Sequence, residues 1–124
     1  MTSSHLAFVF PGQGSQKIGM LAELAAEYPV VQKTFAEASD VLGYDLWALV
    51  QNGAQEEINL TERTQPLLLA ASVAVFRVWQ ERNGAAPALM TGHSLGEWSA
   101  LVCAGVVAFK DAVKLVQQRG KFMQ

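Results

Sequence analysis

The stretch Ala88-Leu89-Met90-Thr91-Gly92-His93-Ser94-Leu95-Gly96-Glu97 decides how this sequence is read. Residues 88–91 form a short run of strand character, Gly92 to Gly96 carries Gly-x-Ser-x-Gly spacing, and residues 95–104 have helical composition ended by Gly105. Strand, sharp turn and helix in that order let a serine stand exposed on a strained elbow at the carboxyl end of a parallel sheet. The spacing alone is modest evidence, since glycine and serine at about 7% each produce it by chance in roughly one chain of this length in twenty-five. The strand before and the helix after it supply the weight. Gly92 and Gly96 lack side chains where the two arms of the turn pass closely, and Ser94 takes the strained apex as candidate nucleophile. Its Oγ would lie at the N-terminus of the following helix, with the N–H of Leu95 as a first oxyanion donor. The alternative is an ordinary glycine-flanked turn in which Ser94 caps the helix.

Residues 5–10 are a β-branched and aromatic run stopped by Pro11-Gly12, which predicts a first strand buried on both faces. The loop Gly12-Gln13-Gly14-Ser15-Gln16 has too few glycines and no lysine for a phosphate loop, and lacks the third glycine of a dinucleotide motif. If the two strands are parallel neighbours, this loop and the elbow emerge at the same end of the sheet, where open α/β folds place ligands. The N–H of Gln13 then becomes a second oxyanion donor; the alternative is a tight connection with no ligand. A general base must reach Oγ, and His93, adjacent on so tight an elbow, diverges from it. His5 heads the first strand, at the opposite end. The chain offers no convincing base.

Helices are predicted over residues 20–28, over 30–42 with Pro29 in the first turn and Gly43 at the end, and as short pieces over 45–50 and 55–58. A long helix opens at Pro66, runs to about residue 82 and closes at Asn83-Gly84; a last one spans residue 109 to the end. Two strands make at most a parallel pair, and parallel sheets need several strands covered on both faces. The expectation is therefore an incomplete sheet, with more protein following Gln124. Arg119, in the last helix, reads alone as a solvated charge, with a carboxylate clamp as the functional alternative. Gln65 reads either as a residue that opens the long helix or as an amide facing the site.

At 124 residues and 51% hydrophobic composition, one domain or part of one is expected. The net charge of −2 arises from nine basic and eleven acidic residues without a basic stripe, which argues against nucleic acid. The apolar stretch of residues 67–78, interrupted by Ser72 and Arg77, is shorter than the roughly 20 residues a membrane span needs. The N-terminus lacks the pattern of a secretory signal, so a cytoplasmic home is expected. Cys103, the single cysteine, reads as a small buried side chain.

Phe10-Pro11-Gly12-Gln13-Gly14-Ser15-Gln16, Thr64-Gln65-Pro66, Gly92-His93-Ser94-Leu95-Gly96-Glu97 and Gln118-Arg119-Gly120 together resemble the malonyl-CoA:acyl carrier protein transacylases of bacterial fatty acid synthesis. The resemblance covers essentially the whole chain, and the start at Met1 is closer to the free-standing type than to a polyketide synthase domain. Trp98 stands where the family usually has tyrosine or another aromatic residue, a mild departure. The resemblance implies that Ser94 attacks the malonyl thioester, that the N–H groups of Gln13 and Leu95 hold the oxyanion, and that Arg119 pairs with the malonyl carboxylate, with Gln65 in the substrate site. Malonyl then passes from coenzyme A to Ser94 and on to the phosphopantetheine thiol of acyl carrier protein, with no metal or redox cofactor and no membrane or nucleic-acid partner. It further implies an α/β fold in which residues 1–124 are the N-terminal, helix-rich part of a hydrolase-like parallel-sheet large subdomain, truncated before a ferredoxin-like small subdomain. The complete enzyme is expected to be monomeric, with its catalytic histidine outside this chain, and the isolated chain to be inactive. A serine hydrolase such as a thioesterase, and a non-catalytic fragment, are the competing readings.

Overall fold

The computed structural model describes residues 2–124, with side chains from Leu6 onward. His5 contributes backbone to the first strand, and its side chain lies outside the described residues. Strand β1 (Thr2–Phe10) pairs in parallel with β2 (Ala86–Gly92) in a two-stranded sheet, with Phe8 opposite Met90 and Phe10 opposite Gly92. Both strands thus end level, and the loops after them leave side by side.

Between the strands the chain forms α1 (Ala22–Glu27), α2 (Pro29–Leu42), α3 (Leu46–Asn52), α4 (Gln55–Ile58) and α5 (Thr61–Glu81); α6 (Leu95–Cys103) and α7 (Phe109–Met123) follow β2. Pro29 opens α2, and Gly43, at φ 82°, donates its N–H to Ser39 O to close it. The side chain of Asp45 caps α3 by accepting from Ala48 N at 3.0 Å. α1 begins later than its apolar spacing predicts because Leu21 sits in the left-handed region at φ 65°.

The long helix departs more from expectation. It begins at Thr61, so Pro66 lies inside it rather than at its start. The Pro66 ring removes the N–H that would bond Glu62 O. The first turn survives through Arg63 N and Thr64 N, both 2.8 Å from Leu60 O, and through Thr64 Oγ1, which donates to Ile58 O and Leu60 O. Gln65 is consequently an interior helix residue and fully buried.

α5 is the axis of the core. Leu67, Leu69, Ala70 and Ala74 are wholly buried against Val31 and Phe35 of α2, Leu46 and Val50 of α3, and Val113 and Val116 of α7. Burying each such leucine contributes about 1.5–3 kcal/mol. Arg77 ties three helices: Nη1 donates to Thr34 Oγ1 at 3.0 Å and to Glu37 Oε2 at 2.5 Å, and its guanidinium stacks over Phe109.

The sheet is covered on one face only. Phe8 and Phe10 pack with Phe76 of α5 and Ala100 of α6. Val9 and Leu89, on the other face by strand alternation, are 73% and 59% exposed. The expectation of a first strand buried on both faces is therefore not met: among the described residues no element lies over the second face. No helix among these residues is long and apolar enough to cross a membrane.

Candidate active site

The chain leaves β2 at Gly92 and enters α6 at Leu95, with Ser94 at φ 56° and ψ −113°. Such a backbone costs a non-glycine residue about 1–3 kcal/mol and persists only where surrounding contacts fix it. Here a Cβ on Gly92 would run into the backbone of Gly96, and one on Gly96 into the carbonyl of Phe10. Helix α6 therefore lies directly against both strand ends, and the turn has no room to relax. Gly96 N and Glu97 N donate to His93 O and Ser94 O, each at 3.1 Å. The N–H of Leu95, at the first helical position, is one of the donors that a helix start leaves without an intrahelical acceptor.

Ser94 does not cap the helix with its side chain. Its exposed Oγ instead accepts from Arg119 Nη2 at 2.9 Å. The capping alternative is thus excluded, and Arg119, which its own helix would leave as a solvated charge, points at the elbow. Its other terminal nitrogen, Nη1, donates to Oε1 of buried Gln65 at 2.9 Å. Two of the guanidinium's N–H groups are anchored this way. The meeting depends on a close crossing: a Cβ on Gly120 would come within 2.7 Å of Glu62 Cα and Thr61 O, so α7 lies directly on the first turn of α5. Gln124 Oε1 accepts from Glu62 N at the same crossing.

The loop after β1 reaches the same place. A Cβ on Gly12 would stand 2.9 Å from His93 O, and Gln13 Nε2 donates to Thr61 Oγ1 at 3.4 Å. Ser94, Leu95, Arg119, Gln65 and the Gln13 loop therefore gather at one end of the sheet. His93 is exposed on the elbow, and among the described residues no histidine or carboxylate hydrogen-bonds to Ser94 Oγ. Arg119 cannot take the proton, because a guanidinium stays charged.

Cys103 is half-buried and its thiol is pushed up to about 12 by burial, with Arg77 opposing weakly. That makes it a packing residue rather than a nucleophile. Among the described residues no group of three or more His, Cys, Asp or Glu could hold a metal ion. An apolar cleft of about 400 Å³ runs along the free edge of β1 beside α5, lined by Phe8, Phe10, Leu68, Ala71 and Phe76 among others, and includes neither Ser94 nor Arg119. One neighbour of the site is absent from the sequence reading. Met123 Sδ accepts from Gln65 Nε2 at 3.2 Å, and the only trace of this in the sequence is that Met123 follows Arg119 by one helical turn.

Residues 7–124 match the acyl transferase domain family. The chain is 69% identical over 121 residues to the malonyl CoA-acyl carrier protein transacylase of Escherichia coli, which covers 98% of this chain and 39% of that protein. A crystal structure of malonyl-CoA:acyl carrier protein transacylase from Xanthomonas oryzae pv. oryzae superposes with a TM-score of 0.97 at 60% identity, covering 100% of this chain and 40% of that one. A malonyl-transacylase in complex with a type II polyketide synthase acyl-carrier protein gives 0.95 at 70% identity, covering 98% and 39%. The chain thus spans about two fifths of the length of the proteins it matches.

Proposed function

This chain belongs to the acyl transferase domain family, and we propose that its residues carry the nucleophile, oxyanion donors and carboxylate clamp of a malonyl transfer from malonyl-CoA to acyl carrier protein. The observation that carries this reading is Arg119 Nη2 at 2.9 Å from Ser94 Oγ. A cation beside the nucleophile, held from behind by a buried amide, suits an acyl group that bears a carboxylate. A transferase acting on neutral acyl groups has no use for it.

In the first half-reaction Ser94 Oγ attacks the thioester carbonyl and loses its proton to a base. The tetrahedral oxygen collects the N–H groups of Leu95 and Gln13. Collapse breaks the carbon–sulfur bond, the thiolate of coenzyme A takes up the proton, and malonyl remains as an ester on Ser94. In the second half the carrier's phosphopantetheine thiol gives its proton to the same base and attacks the ester, and Ser94 Oγ leaves with a proton. We assign the base to the part of the family's length that this chain does not span. Residues 1–124 fall, on this reading, within the large subdomain of a monomeric cytoplasmic enzyme of fatty acid synthesis that needs no metal or redox cofactor. The carrier as partner is supported by the relatives' names and by the malonyl-transacylase that resembles this chain while bound to a carrier.

The test uses a chimera in which this chain replaces the matching 121 residues of the Escherichia coli relative. It should convert malonyl-CoA and acyl carrier protein to malonyl-carrier, and Ser94→Ala should remove that activity. Rapid hydrolysis of malonyl-CoA without malonyl-carrier would sink the transferase reading in favour of a serine hydrolase.

A further inference from the structure

The loop of residues 11–19 has no strand or helix of its own, yet it carries Gln13 to the elbow. Side-chain amides hold it. Gln16 Oε1 accepts the N–H of Gly14 at 2.9 Å, and Gln16 Nε2 donates to Asn59 Oδ1 at 2.9 Å. Gln55 Nε2 donates to the same Oδ1 at 3.0 Å and to Gln16 O at 3.3 Å, while Gln55 Oε1 accepts the N–H of Ile18 at 3.2 Å. Gln55 opens α4 and Asn59 closes it. The short helix α4 is thus a bracket for the loop.

These bonds lie at the surface, where water competes for every partner, so their net contribution to stability is small. Their consequence is geometric. The loop is fixed against the elbow at Gly12, where a Cβ would stand 2.9 Å from His93 O, and again at Gly14 by the Gln16 side chain. Gln13 lies between those two points. The Gln13 N–H belongs to the Gly12–Gln13 peptide plane, whose carbonyl accepts from Ser15 Oγ at 3.2 Å, and with the Gly14 N–H tied to Gln16 the following plane is held as well, so Gln13 is restrained from both sides. An oxyanion donor is useful only within a few tenths of an ångström of its place, and a misplacement of about 1 Å can cost about a hundredfold.

We propose that Gln16, braced by Asn59 and Gln55, is a positioning residue that aims the Gln13 N–H at the oxyanion formed on Ser94. This rests on the reading of Gln13 as an oxyanion donor. Asn59 serves through Oδ1 alone, which accepts from both glutamines, so aspartate at that position supplies the same acceptor.

The experiment measures kcat and KM for malonyl-CoA, with thermal melting, in the chimera carrying Gln16→Ala, Asn59→Leu, Asn59→Asp or Gln13→Pro, the last of which deletes the N–H. Gln16→Ala and Asn59→Leu should lower kcat about 10- to 100-fold with KM changed less than about twofold and melting nearly unchanged, while Asn59→Asp keeps most of kcat. The proposal is overturned if both damaging variants keep wild-type kcat, or if Asn59→Asp is as impaired as Asn59→Leu. An unaffected Gln13→Pro overturns it together with the oxyanion assignment. A crippled Gln13→Pro beside a normal Gln16→Ala overturns the positioning role alone.

Discussion

Arg119→Ala should separate malonyl from acetyl transfer. The guanidinium is held at 2.9 Å from Gln65 Oε1 on one side and 2.9 Å from Ser94 Oγ on the other. In a malonyl ester on Ser94 three bonds separate Oγ from the carboxylate carbon, a reach of at most about 4 Å at ordinary bond lengths. A group in hydrogen-bond contact with Oγ is therefore also within reach of that carboxylate. Hydrogen bonds to charged groups contribute about 1.5–3 kcal/mol each, and the half-exposed position of Arg119 argues for discounting a bidentate pair to about 2–3 kcal/mol in total. At about 1.4 kcal/mol per decade this is roughly a 30- to 150-fold loss in kcat/KM for malonyl-CoA. An acetyl group has no carboxylate, and its transfer should change less than about threefold. The assay is competition of the two thioesters for acyl carrier protein on the chimera, resolved by the mass of the loaded carrier. Equal losses for both substrates would refute the clamp.

The surrounding residues give further expectations. Gln65→Leu leaves Arg119 without its anchor and should reduce the malonyl-over-acetyl preference about tenfold, read in the same competition. Gly96→Ala drives a Cβ into the Phe10 carbonyl, where only backbone could yield; it should cost about 3 kcal/mol or more in urea unfolding of the chimera and abolish transfer. At pH 8 the raised pKa of Cys103 lowers its thiolate fraction about a thousandfold relative to a free thiol, and higher intrinsic nucleophilicity returns about twentyfold of that. Native Cys103 should thus be alkylated at least about 40-fold more slowly than in urea. Because its folded pKa is raised, the associated stability is present below the ordinary thiol range and is lost as pH rises from about 9 towards about 12, which urea unfolding across that range checks.

The elbow was legible because its requirements are local: Gly92, Gly96 and the strand and helix around them follow one another in the chain, and sterics fix what each must be. Parallel pairing of the two strands followed from the long helical crossover between them. Arg119 was not legible from its own helix, since its direction depends on α7 lying against α5 at Gly120, a contact between distant segments. Gln65 was obscured by Pro66, which reads as a helix start but sits inside a helix begun at Thr61 by the anchoring bonds of Thr64. The bracket of Gln16, Gln55 and Asn59 joins amides some forty residues apart and leaves no periodic mark. The exposed face of β1 escaped the reading because an apolar strand sequence states a need for cover without saying what supplies it.

The most direct test of the central claim is to expose the chimera to malonyl-CoA without acyl carrier protein, digest it and locate the acyl group by mass spectrometry. A malonyl ester is expected on the peptide bearing Ser94, discharged when carrier is added. Malonyl on any other residue, or transfer that persists in Ser94→Ala, would contradict it.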